Sequence, residues 1–223
     1  MFLPEPPASA DVEAMYDEDR DSDGYVSNTT RLWCWRPDAM EAFFRARALL
    51  QRDSDLSAAD VAVLFAATAA ARSDSYCSLS WGAQLAEKAD PHTAAQVLGG
   101  SSTGLDVRSA ALADWARRVA KDPNSTTPAD VDRLRGAGLT DRQVFEATML
   151  IAWRMAFSAV NGALGAQPDA QLAAAVPEPV RNAVSYGRPP SPTPSARFPS
   201  SGDSAQPPRK QRVSPRRRRG RRS

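Results

Sequence analysis

Apolar residues along the chain recur at helical spacing. Met40, Phe43, Phe44, Ala48 and Leu49 mark a helix from Pro37, a residue suited to a first turn, to about Leu50. Ser57 with Asp60 three residues on resembles a capping box with Asp in place of Glu, and opens a helix over roughly 57–72. Its small side chains (Ala58, Ala62, Ala66, Ala69, Ala70) allow close packing of neighbours. A third helix runs from about Ser75 to Lys88, and Asp90-Pro91 opens a short one that ends at Gly99-Gly100. From Asp106 to Ala120, Val107, Ala110, Ala111, Leu112, Ala113, Trp115 and Val119 form a broad apolar face, broken by Asp122-Pro123-Asn124. Thr127-Pro128-Ala129-Asp130 supplies a cap, an N1 proline and a first-turn acid for a short helix to Gly136. Gly138-Leu139-Thr140 with Gln143 starts the longest helix, to about Leu164, whose Phe145, Thr148, Met149, Ala152, Met155, Ala156 and Ala159 fall on one stripe. No strand pattern is evident, so the fold class reads as all-α, a helical bundle joined by short turns with disordered termini.

Charge divides this picture. Residues 187–223 are rich in Pro, Ser and Arg and hold 11 Lys/Arg against one acid, Asp203. Removing them from the chain's 28 basic and 26 acidic residues leaves 17 and 25 in 1–186, so a body near −8 and a tail near +10 hide behind a net +2. The tail lacks the apolar surface to offset its ordering entropy and is expected to be disordered. Arg216-Arg217-Arg218-Arg219 and Arg221-Arg222 lack interleaved aromatics, so contact with nucleic acid through them would be non-specific and salt-sensitive. Residues 1–30 read as an acidic, Pro-containing arm, partly disordered, with the helices beginning after Trp35 in a domain spanning 31–186. Asp17 to Gly24 superficially suggests a calcium loop, but no bidentate Glu follows at the twelfth position. Cys34 and Cys77 are the only cysteines, which points to a reducing compartment and a cytoplasmic protein. No secretory signal is visible at the first residues, and the longest apolar run, Val61 to Ala71, is about half of a membrane span.

The chemistry centres on Cys77, in Arg72-Ser73-Asp74-Ser75-Tyr76-Cys77-Ser78-Leu79-Ser80-Trp81-Gly82. A thiol near a helix N-terminus is favoured as thiolate by the helix dipole; Asp74, three residues earlier, opposes this. Arg72 and Arg154 are the cations that could tip the balance. Arg154 interrupts an apolar helix, so it sits either at a rim with its head in water or buried against a carboxylate. Cys77 itself is either an inert core thiol or a reactive one. Tyr76 either caps the turn or donates to a small ligand, and Trp81 either packs or lines a substrate pocket. His92 is the only histidine, so neither a protein zinc site nor imidazole catalysis is expected. Gly99-Gly100 has none of the context of a phosphate loop, and no cofactor or metal is implied.

Four segments together resemble the carboxymuconolactone decarboxylase / AhpD-like alkylhydroperoxidase superfamily. They are Thr30-Arg31-Leu32 through Arg36-Pro37 to Phe43; Leu56-Ser57 through the Ala-rich helix to Cys77; Ala113-Asp114-Trp115-Ala116-Arg117 with Lys121-Asp122-Pro123 and Asp130-Val131-Asp132; and Gly138-Leu139-Thr140-Asp141 into Glu146-Ala147. The resemblance spans about 28–170. It implies a helical fold that forms homo-oligomers, often trimers, with the active site on the Cys-bearing helix pair. Peroxidatic members carry C-x-x-C-x-x-x-H and an upstream glutamate. Here Cys77 matches the second cysteine, Asp74 stands in the first cysteine's place and Trp81 in the histidine's, while the glutamate falls near Ala62, close to Asp60. With Cys77 counted as the first cysteine instead, Ser80 and Gln84 follow. Neither alignment restores the dithiol.

Two functions follow as expectations. One is a thiol-dependent peroxidase of the AhpD-like type, an antioxidant oxidoreductase acting on a peroxide or small electrophile through Cys77, with Asp74 and Arg154 as catalytic candidates and Tyr76 and Trp81 as substrate contacts. The other is an inactive oligomeric scaffold whose basic tail engages nucleic acid or another polyanion.

Overall fold

The computed structural model describes residues 1–192, and among these the fold is entirely helical. In chain order the helices are α1 (Ala10–Asp23), α2 (Asn28–Trp33), α3 (Pro37–Arg52), α4 (Ala58–Ala71), α5 (Ser75–Lys88), α6 (Pro91–Leu98), α7 (Val107–Lys121), α8 (Pro128–Gly136), α9 (Asp141–Ala163), α10 (Ala170–Ala175) and α11 (Glu178–Ala183), with one 3₁₀ turn at Pro123–Ser125. The expected all-α bundle is what forms. No described helix is long and apolar enough to cross a membrane.

Helix α4 is the axis of the core. Residues from Val61 to Ala69 are all buried, which a helix surrounded on every side requires. It packs against α5, α7 and α9. Its start is fixed by Ser57, whose hydroxyl accepts from the Asp60 amide at 3.1 Å while the Asp60 carboxylate accepts from the Ser57 amide at 2.9 Å. The same carboxylate takes a two-pronged ion pair from Arg108 Nε and Nη2, at 3.0 and 3.1 Å, tying α4 to α7. Asp60 is therefore committed to capping and cross-linking. Close approach of α5 to α6 and α11 depends on Gly82, where an added Cβ would lie 2.7 Å from both Leu98 Cδ1 and Val180 Cγ1.

Three expectations need correction. The N-terminal arm is not a loose acidic segment: helices precede Trp35. Ser9 caps α1, Val12 and Tyr16 bury with Val26 and Cys34, and Asn28 reaches Asp169 and the Gln167 carbonyl. The acidic run Asp17–Asp23 is the second half of α1, with Gly24 closing it at φ +80°. A helix amphipathic enough to pack was masked by its charge density; two turns present one buried residue each, too few for a periodicity signal.

The α9 stripe is reversed. Phe145, Met149, Ala152, Ala156 and Ala159 face outward, with Phe145 64 % exposed, while Val144, Ala147, Leu150, Ile151, Trp153 and Phe157 fill the core. Both faces of α9 are apolar, so periodicity alone could not tell which one meets α4.

The C-terminal segment does not leave the body at Gly187. Gly187 adopts φ +76° where an added Cβ would lie 2.5 Å from the Ser73 carbonyl oxygen, the Arg188 carbonyl accepts from Ser75 Oγ at 2.6 Å, and the Ser191 amide donates to the Pro168 carbonyl. The strap holds the α4–α5 turn, where Ser73 is left-handed at φ +52°. The Arg-rich remainder, for which disorder and polyanion contact were expected, lies outside the described residues.

Candidate active site

Asp74 sits at the N-cap of α5 and its Oδ1 accepts from the Cys77 amide at 3.0 Å. This bond fixes the first turn of α5 and directs Cys77 inward. The sulfur is buried, and Asn161 Nδ2 faces it at 3.8 Å. The Asn161 amide cannot turn over, because Trp33 Nε1 donates to its Oδ1 at 2.9 Å. The second carboxylate oxygen of Asp74 is buried without a partner. Burial holds the Cys77 thiol well above its ordinary titration range, Arg154 draws it down, and Asp74 raises it further. The dipole advantage expected of this position is thus outweighed by desolvation, and the resting group is a neutral thiol.

A cavity of about 480 Å³ opens beside this sulfur. Cys77, Tyr76 and Trp81 line it from α5, Arg154 and Phe157 from α9, Phe44 and Arg47 from α3, and Tyr25, Ser27 and Thr29 from the N-terminal segment that closes one side. Four of the five residues singled out in the sequence therefore meet at one cavity. The fifth, Asp74, stands behind Cys77 and is not part of the lining.

Arg154 fits neither expectation. It is only 3 % exposed, so it is not at a rim, and no carboxylate pairs with it among the described residues. Its Nε is buried without a hydrogen-bond partner, and its guanidinium lies over Phe157 at 4.5 Å, Trp153 at 5.0 Å and Phe65 at 5.2 Å. Tyr76 neither caps the turn nor offers its hydroxyl to the cavity; it donates to Asp169 Oδ2 at 2.7 Å, so only the ring is presented. Trp81 stands edge-on to Phe65, with centroids 4.6 Å apart, and it both packs and lines the cavity.

Arg47 and Asn161 were not singled out in the sequence. Arg47 lies on the inner face of α3, three and four residues beyond Phe44 and Phe43, a spacing that could have flagged it. Its guanidinium approaches the rings of Trp81, Trp153 and Phe65 at 5.5–5.9 Å, and burial together with the charge of Arg154 lowers its pKa. Asn161 is seven residues past Arg154, two turns along the same face of α9.

Cys34 does not join the site. It belongs to the separate cluster of Val12, Tyr16 and Val26, its sulfur is 3.6 Å from Met15 Sδ, and burial pushes its thiol up to about 11. Both cysteines are free. His92 is exposed in the first turn of α6, and among the described residues no cluster of His, Cys, Asp and Glu could hold a metal ion. A larger groove of about 880 Å³ runs along α7 and α8, but Arg117, Arg118 and Arg133 on it are already paired with Asp114 or Asp130.

No protein-family model matches the chain, and no curated protein matches it. Solved structures do. A peroxidase-related protein with the alkylhydroperoxidase AhpD core from Ralstonia eutropha is 27 % identical, with a TM-score of 0.67 over 77 % of this chain and 93 % of that one. A peroxidase-related protein from a Silicibacter species is 19 % identical, with a TM-score of 0.68 over the same shares. The debrominase Bmp8 is 13 % identical, with a TM-score of 0.65 over 82 % of this chain and 98 % of that one.

Proposed function

We propose, for a chain that belongs to the AhpD-like superfamily, a single-thiol peroxidase activity centred on Cys77. The observation that carries this reading is the pairing of one thiol and one unneutralised guanidinium at the same cavity. A hydroperoxide entering the cavity meets the Cys77 sulfur. The thiol gives its proton to solvent, the sulfur attacks the terminal peroxide oxygen, and the O–O bond breaks. Arg154 offsets the charge developing on the departing oxygen, which leaves as an alcohol after taking a proton from water, so that no net proton is lost or gained. The product on the protein is a sulfenic acid. Because Cys34 sits in another cluster, a small external thiol condenses with the sulfenic acid, releasing water, and a second thiol molecule frees Cys77 as the disulfide departs.

The test is peroxide consumption by the full chain with dithiothreitol present, alongside dimedone trapping. Wild type should trap dimedone at Cys77 and not at Cys34; Cys77→Ser should lose turnover entirely, and Cys34→Ser should keep it. Since burial raises the Cys77 thiol, the rate should climb steadily from about pH 6 to about pH 9 without the plateau of a low-pKa thiolate. Turnover that survives Cys77→Ser would end the proposal.

The outward stripe of α9 supports the expected homo-oligomer. Phe145, Met149 and Val160 are exposed there, with the small residues Ala152 and Ala156 between Met149 and Val160. A second copy covering this face should disappear on Phe145→Glu: wild type should run as a multimer by light scattering and the variant as a smaller species. A monomeric wild type would remove this part of the proposal.

A further inference from the structure

Arg47 and Arg154 pose a problem that the protein alone does not solve. Both guanidiniums lie over the same three rings, those of Phe65, Trp81 and Trp153. Each positive charge is therefore held near the other in a desolvated setting, and Arg47 feels the repulsion. Ring faces attract a cation, but they accept few of its five N–H groups. Arg47 places its Nε on Gln51 Oε1 at 2.9 Å, whereas the buried Arg154 Nε has no acceptor. A buried charge without a counter-ion is normally neutralised by a partner. An anion entering the cavity would supply that partner.

The shape of the cavity narrows the choice. Its volume of about 480 Å³ suits a small organic molecule. Trp81, Phe157, Phe44 and Leu172 give it flat apolar walls. Asp23 and Glu87 also line it, but both are exposed and stand at its solvent side, where they disfavour a second negative charge. A planar carboxylate matches a guanidinium fork in two parallel hydrogen bonds. We infer that the cavity binds a small aromatic monocarboxylate, its carboxylate on Arg154 with Arg47 alongside and its ring between Trp81 and Phe157. This names what enters the cavity assigned above to peroxide reduction, and it rests on that cavity being the place of reaction, though binding itself needs no thiol.

Isothermal titration of the full chain with benzoate, benzamide and acetate tests it. Benzoate should bind saturably, and benzamide and acetate at least about tenfold more weakly, because one lacks the charge and the other the ring. Binding is read with no peroxide present, so a failed peroxidase assay leaves the ligand result standing by itself. Arg154→Met, checked for cooperative thermal unfolding, should lose at least about tenfold in benzoate affinity, with Arg154→Lys intermediate. Equal binding of benzamide or acetate, no binding of benzoate, or unchanged benzoate affinity in folded Arg154→Met would each overturn the assignment.

Discussion

Phe65→Ala should lower the unfolding free energy by about 3–5 kcal/mol, read from urea denaturation. Phe65 is fully buried in the middle of α4, where Ala62, Ala66, Ala67 and Ala69 leave little other side-chain volume to fill the space. Its ring supports Trp81 edge-on at 4.6 Å and lies 5.8 Å from the Trp153 ring, so it joins α4 to both α5 and α9. Three helices held by short connections cannot close on the void, and the cavity term adds to the lost transfer energy. Leu49→Ala makes the control: Leu49 is more than half exposed on α3, and its removal should stay within about 0.5 kcal/mol. Phe65 is also the ring shared beneath Arg47 and Arg154, so benzoate binding should weaken in the same variant. A loss below about 1.5 kcal/mol would show that Trp81 swings in to fill the space, and the cavity wall would then not be rigid.

The bundle was legible in the chain because its helix starts are chemically explicit. Ser57 with Asp60, Asp74, Asp90, Asp106 and Thr140 with Gln143 all cap helices within a residue or two of where the sequence puts them. The short helices α10 and α11 were missed, since six residues carry too little pattern to register. At the site, the sequence drew attention to Cys77, Arg154, Tyr76 and Trp81, because each is an unusual residue type at its place. It could not supply the relation between them. Among the described residues Arg154 pairs with no acid, because the cavity-facing stretch of α9 meets Phe65 of α4 and Trp81 of α5, neither of them a sequence neighbour. Arg47 drew no attention in the sequence, where α3 carries Arg45 and Arg52 as well. Only the fold places it across three rings from a second cation.

Arg154→Met should raise the melting temperature by several degrees, the opposite of what removing a packed core residue does. The guanidinium is 3 % exposed and has surrendered its hydration without gaining a carboxylate. Contact with four rings returns part of that cost, about 2 kcal/mol or more for a desolvated cation. The remainder is an uncompensated charge in an apolar wall, and methionine fills a similar volume with a flexible thioether that packs well against aromatic rings. Relief of the repulsion on Arg47 adds to the gain. A net stabilisation of about 1–3 kcal/mol follows, in the range seen when buried charges give way to apolar side chains. Saturating benzoate supplies the decisive comparison. It should raise the melting temperature of wild type, where it neutralises the pair of cations, and leave the methionine variant where it is. The residue is then kept against stability for the sake of a ligand. Should Arg154→Met instead melt lower than wild type, with benzoate moving neither, the aromatic cage would be the guanidinium's full complement and Arg154 a structural residue.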